Sequence, residues 1–150
     1  MSIAPLEVFA ADLLARLEPA ARTELARRIA RDLRASQQRR IAAQQNPDGT
    51  PYAPRKPQIR GRAGKVRRQM FSRLRLARFL KTRVTADEAV IAFTDQVSRI
   101  ARVHHFGLRD RVNRRTGLEA DYPARQLLGI SEADEALIRD LAVDYLAGRS

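Results

Sequence analysis

The chain has no cysteine and no tryptophan in its 150 residues. The first absence excludes disulfides, thiolate metal sites and a cysteine nucleophile. The second, with an aromatic share of only 5%, leaves the core to Leu, Ile, Val and Ala. No apolar run approaches the roughly 18 residues that a membrane span requires, so no membrane partner is expected. There is no Walker-type glycine-rich phosphate loop and no Gly-x-Ser-x-Gly elbow. The N-terminal segment is Arg-bearing and helical in pattern, as transit peptides are. It also carries Glu7, Asp12 and Glu18 and has no secretory cleavage pattern, so the protein is expected to stay where it is made. The length suits a single domain that buries its own core, and no internal repeat is visible.

Acidic residues are missing from one long stretch. Between Gly49 and Ala86 there are twelve Lys or Arg and no Asp or Glu, while the rest of the chain holds seventeen of each sign. The formal charge of +12 therefore resides in one quarter of the sequence. Charge concentrated in this way attracts an anionic partner, whether nucleic acid, an acidic protein surface or anionic lipid; the plainer alternative is a solvated basic face.

Leu6, Phe9, Ala10, Leu13, Leu14 and Leu17 recur at helical spacing. Pro19 then breaks or restarts the helix, since its missing N–H is harmless at the first helical position. Ala21, Leu25, Ile29 and Leu33 predict a second, longer helix running to about Gln45, with Glu24 supporting Arg28 one turn on. The run Asn46 to Pro54 holds three prolines and Asp48-Gly49, which rules out helix or central strand. Arg55 to Lys65 lacks apolar periodicity and reads as an arm, so that a basic loop covers about residues 46–65. Val66, Met70 and Leu74, with Phe71 beside them, predict a further helix to Arg78.

Leu80 to Thr94 is rich in β-branched and aromatic residues around the polar turn Thr85-Ala86-Asp87-Glu88, which predicts a β-hairpin. Asp95 is placed as the cap of a helix reaching about His105 and stopped by Gly107. Leu108–Val112 and Glu119–Tyr122 flank a turn at residues 113–117 as a second strand pair. Ser131 with Asp134 opens a last helix in capping-box fashion, and Gly148 ends it. The expected fold is α+β: long N-terminal helices, a small antiparallel sheet from the middle of the chain, and a C-terminal helix.

Catalytic signals are weak, and no catalytic, cofactor or metal site is assigned. Neighbouring helical residues point about 100° apart, so His104 and His105 cannot jointly chelate a metal; one packed and one near the surface is the expectation. Asp110, Glu119 and Asp121 lie close in sequence to Arg109, Arg111 and Arg125 and read as ion-paired structural charges. The basic stretch offers two sites in principle. As a nucleic-acid grip it would give salt-steep affinity, but only Tyr52, Phe71 and Phe79 are at hand for base stacking. As a protein-docking arm it fits better: Arg outnumbers Lys nine to three, and the planar guanidinium pairs bidentately with carboxylates. Its candidate partner-binding residues are Arg55, Lys56, Arg60, Arg62, Lys65, Arg67, Arg68, Arg73, Arg75 and Arg78. A basic amphipathic helix at Val66 to Arg78 could also lie on a membrane, but its stripe is short and no second anchor accompanies it.

Three ordered segments carry a resemblance. They are Gln45 to Lys56, built on Asn46, Pro47, Asp48, Gly49, Tyr52 and Pro54; Val103 to Gly107, with His105, Phe106 and Gly107; and Tyr122 to Ser131, with Pro123, Arg125 and Leu128. In that order and spacing, over nearly the whole chain, the sequence resembles the phage virion morphogenesis (tail-completion) family of Mu-like and related tailed phages. The resemblance implies a structural subunit and no catalytic residues. It implies a place in the virion at the head-proximal end of the tail, in a closed homo-oligomeric ring taken as a hexamer, assembled in the host cytoplasm. Tail-tube and neck or connector proteins would be its partners, with DNA contact in the lumen as a further one. Within the motifs, Asn46 to Pro54 would be a rigid turn into the arm, and Phe106 and Gly107 would end a core helix. Tyr122, Pro123 and Arg125 would fix the approach to the last helix, with Leu127, Leu128 and Ile130 supplying core or interface area. Plain fold maintenance is the competing role at each of these positions. A nucleic-acid-binding accessory protein and a head-completion component are the alternative readings.

Overall fold

The computed structural model describes residues 17–55, 69–111 and 115–148. The elements run α1 (Pro19–Ala42), β1 (Leu80–Val84), β2 (Ala89–Phe93), α2 (Asp95–Phe106), β3 (Arg109–Arg111), β4 (Glu119–Asp121) and α3 (Glu132–Leu146). The fold is α+β, with one long N-terminal helix among the described residues; the helix predicted at Leu6 to Leu17 falls almost wholly outside them. The strands form two separate two-stranded sheets, β1–β2 and β3–β4, and not one. By its contacts the chain divides into two units. Among the described residues, one comprises 17–36, 81–92 and 130–148, the other 37–55, 69–80, 93–111 and 115–129.

Helix α1 starts at Pro19, whose ring presets the helical φ. Its buried stripe contains Leu25, Leu33, Gln37 and Ile41, with Ala30 beside it. Beyond Ala42 the helix closes through Gln44, which takes a left-handed φ of 58°. Gln44 N–H donates to Ile41 O and Gln45 N–H to Arg40 O, the paired bonds of a Schellman end. Glycine is usual there; the Gln44 side chain offsets the strain by donating to the carbonyls of Ile41 (2.8 Å) and Met70 (2.9 Å).

In the first unit, Leu25, Ala30, Leu33 and Ala142 are buried. The β1–β2 turn is closed by Thr85, whose hydroxyl accepts from the N–H groups of Asp87 and Glu88. Helix α3 begins with the predicted capping box: Asp134 N–H donates to Ser131 Oγ at 3.0 Å, and Ser131 N–H returns to Asp134 Oδ2 at 3.1 Å. Asp134 is only 1% exposed and also accepts from Ser36 Oγ, so the cap ties α3 to α1. Arg28 stacks over the Tyr145 ring, a second link between the same helices.

The second unit has a core of Ile41, Tyr52, Leu74, Ala101 and Leu127, onto which Met70, Phe71, Phe93 and Val97 pack. The helix predicted for Val66 to Arg78 is corrected here. Residues 70–79 form successive turns, and residues 66–68 lie outside the described residues. Phe71 is the cause: its φ of 65° is left-handed, a conformation a bulky residue cannot carry through a helix. In exchange its ring enters the core edge-on between Tyr52 and His104, with centroids 5.7 and 5.1 Å away. The N-cap of α2 is Thr94 and Asp95 is the first helical residue, so the helix starts one position earlier than expected. Gly107, at φ 67°, ends the helix as predicted.

Candidate interaction surface

The three segments that carry the family resemblance meet in the second unit through residues 45–55, 103–107 and 122–129. In the turn at 46–50, Asp48 Oδ1 accepts from both the N–H and the hydroxyl of Thr50, which holds the carboxyl below its ordinary range. Gly49 supplies the φ of 88° that the turn needs, and Asn46 N–H donates to Thr50 O at 2.8 Å. Asn46 Oδ1 then accepts from Gln126 N–H (2.9 Å), and the Tyr52 hydroxyl donates to Gln126 O (2.9 Å). Pro47 fits against Gly129 so closely that a Cβ there would lie 2.5 Å from Pro47 Cγ.

Arg125 is 4% exposed. Its Nε donates to Ala53 O at 2.8 Å and one terminal nitrogen to Pro54 O at 3.0 Å. Burial, aided by the charge of Arg55, lowers its pKa from the ordinary arginine value. Its backbone N–H donates to His104 O at 2.8 Å, joining this segment to the end of α2. The guanidinium thus fixes the last two residues before Arg55, where the basic stretch begins.

Arg40 and Gln37 complete the junction, and neither was singled out from the sequence. Arg40 donates to the carbonyls of Gln45 (3.0 Å), Gln126 (2.9 Å) and Leu127 (2.9 Å), and to Gln37 Oε1 (2.6 Å). The buried Gln37 Oε1 also accepts from Gly129 N–H. One signal was available: Gln37 is a polar residue in register with the apolar stripe of α1, a place where a buried polar group needs partners.

Both histidines are half-buried, where one was expected near the surface. His104 lies between the rings of Phe71 and Tyr122, and burial together with Arg125 lowers its pKa. His105 Nδ1 accepts from Leu127 N–H at 3.1 Å, and burial, with Arg40 nearby, lowers its pKa too. Burial raises the pKa of Tyr52, which keeps its donating proton. Among the described residues, no three His, Asp or Glu are grouped to hold a metal ion.

Of the candidate basic residues, Arg55, Arg73 and Arg78 are exposed and Arg75 is half-buried. Arg78 stacks over Phe79 at 5.4 Å. Lys56, Arg60, Arg62, Lys65, Arg67 and Arg68 lie outside the described residues. Asp110 is ion-paired with Arg99, and Glu119 with Arg109 at 2.7 Å. Phe106 is 62% exposed and Leu118 61%, so Phe106 ends its helix from outside the core. Leu128 is half-buried and Ile130 exposed, whereas Leu127 is fully buried. No helix among the described residues is long and apolar enough to cross a membrane.

The motif residues are therefore bound largely to one another, and the groups left facing outward include arginines, carboxylates and a few large apolar side chains. Such a surface is suited to binding. The chain is similar to tail completion protein S of Escherichia phage P2, with 44% identity over 136 residues, spanning 89% of this chain and 90% of the relative. No solved structure matches it. The model of the phage virion morphogenesis family matches residues 1–147, and the chain belongs to that family.

Proposed function

We propose that this protein is a structural subunit of a phage virion that completes the tail at its head-proximal end, forming a ring that caps the tail and serves head–tail joining. The observation that carries the reading is the 44% identity to a tail completion protein over nearly the full length of both chains. The junction around Arg125 and Arg40 supports it, because the turns flanking the basic stretch are built as a rigid mount. Residues from Arg55 to Arg78 are the docking arm, which engages acidic surfaces of neighbouring tail or neck proteins through paired guanidinium–carboxylate contacts. The ring is a homo-oligomer of about six subunits, head-to-tail contacts being the kind that close on themselves. No catalytic step is assigned to it.

The test is a phage lacking this gene. Heads should fill and tails should form, but the two should remain apart, and adding the purified protein to the extract should restore joining. Joined, infectious particles in its absence would overturn the reading. A second reading, contact with DNA through the twelve cations between Gly49 and Ala86, is favoured by the absence of acidic residues from that stretch. It requires duplex binding that falls steeply with salt.

A further inference from the structure

The β3–β4 hairpin carries an arrangement of charge that the junction and the arm do not use. It is a two-stranded sheet of three-residue strands, with register Arg109↔Asp121, Asp110↔Ala120 and Arg111↔Glu119. Two strands alone are marginal, and each has one strand neighbour among the described residues. Tyr122 N–H donates to Leu108 O at 3.2 Å, which makes 108 and 122 a hydrogen-bonded pair. Bonded and non-bonded pairs alternate along an antiparallel ladder. Asp110 and Ala120 are then bonded inward, while positions 109, 111, 119 and 121 direct their backbone groups to the outer edges.

That parity decides what can add to each edge. The outward positions of β3 are both arginine; those of β4 are both acidic. A second copy adding β3 to β3 antiparallel must set Arg against Arg in every register that overlaps the strands and satisfies the backbone. Adding β4 to β4 must set acid against acid. Adding β3 of one copy to β4 of the next sets Arg109 and Arg111 against Glu119 and Asp121, as the hairpin itself does through Arg109 and Glu119 at 2.7 Å. Charges on an exposed edge commonly block pairing of any kind. Here the two signs are sorted by strand, so the symmetric pairings are blocked and the head-to-tail one is left open. The exposed Leu118, at 61%, adds an apolar side chain close to the start of β4.

We infer that the interface between copies of this chain is strand addition of β3 in one subunit to β4 in the next. This deepens the ring reading and rests on it. The contact is heterologous, so repeating it produces a ring or an open helix, never a closed two-fold dimer.

Two charge-reversed full-length variants test it: Arg109→Glu with Arg111→Glu, and Glu119→Lys with Asp121→Lys. Under conditions where the native chain assembles in light scattering, each variant alone should stay at the 17.0 kDa monomer mass, because its two edges now carry one sign. Mixed one to one, they should assemble again, since each edge finds its opposite in the other variant. Assembly of either variant alone, or failure of the mixture when both are folded by circular dichroism, overturns the inference while leaving the ring intact. A native chain that stays monomeric even with tail tubes overturns the ring reading as well. A second readout keeps the charges nearly intact. The chain has no native cysteine, and residues paired across the new edge would have Cα atoms about 5.5 Å apart, within disulfide reach. Oxidising Arg111→Cys mixed with Glu119→Cys should yield mainly dimers between the two variants; mainly homodimers of either would overturn the inference.

Discussion

Replacing Arg125 by Met keeps much of the buried volume and removes the guanidinium. The structure lets the cost be worked out. Two hydrogen bonds are lost, at 2.8 and 3.0 Å, from a charged donor to the carbonyls of Ala53 and Pro54. Bonds to charged groups contribute roughly 1.5–3 kcal/mol each. Bonds from one guanidinium share a single desolvation and are not additive, and Pro54 O can recover water, so the expected loss is about 3 kcal/mol. For a chain of this size 1 kcal/mol moves the melting temperature by roughly 2–4 °C, so Tm should fall by about 6–12 °C. Lysine should rescue little, because a single ammonium cannot span both carbonyls. Calorimetry measures the fall, and hydrogen exchange should show it concentrated at Tyr52 to Arg55. A Tm within about 2 °C of the native protein for Arg125→Met, or near-native behaviour of Arg125→Lys, would refute the assigned role.

Acid should weaken the protein through its histidines. Both are held below the ordinary value, so the unfolded chain takes up protons from about pH 6.5 downward before the folded chain does. Their contribution is therefore complete above that pH and is lost as pH falls towards the folded values. The combination His104→Phe and His105→Asn, which keeps a ring and an acceptor, should flatten the melting temperature between pH 7.5 and 5.5; an unchanged slope would assign the loss elsewhere. Gly129→Ala should destabilise by roughly 1–3 kcal/mol, since its Cβ would meet Pro47 at 2.5 Å, and combining it with Pro47→Ala should restore most of the loss. Neutralising Arg60, Arg62, Lys65, Arg67 and Arg68 together should stop heads and tails joining while leaving Tm unchanged. If it instead abolishes tight, salt-steep binding of duplex DNA, the arm is a nucleic-acid grip.

Much of the fold was legible because its signals are local. The β1–β2 hairpin follows from β-branched residues on either side of a Thr85 turn, the end of α2 from Gly107, and the start of α3 from Ser131 and Asp134. Residues 69–79 were not legible. Their apolar spacing is helical, but Phe71 adopts a left-handed conformation to reach Tyr52 and His104, partners 19 residues before it and 33 after it in the chain. The motif around Asn46, Tyr52 and Arg125 was visible as residues, while its meaning as a mutual lock depends on Gln126, whose N–H donates to Asn46 and whose carbonyl accepts from Tyr52. Arg40 was hidden for a related reason. On a helix crowded with arginines nothing local marks the one that binds four acceptors, two of them the carbonyls of Gln126 and Leu127 far along the chain.

Whether this subunit belongs to a ring at the head-proximal end of the tail is decided by imaging purified particles by electron cryo-microscopy, with a small tag on the C-terminus. One band of density is expected at the head–tail junction, with rotational symmetry and a copy number near six. Tag density along the tail shaft or inside the head, or particles that contain none of the protein, would contradict it.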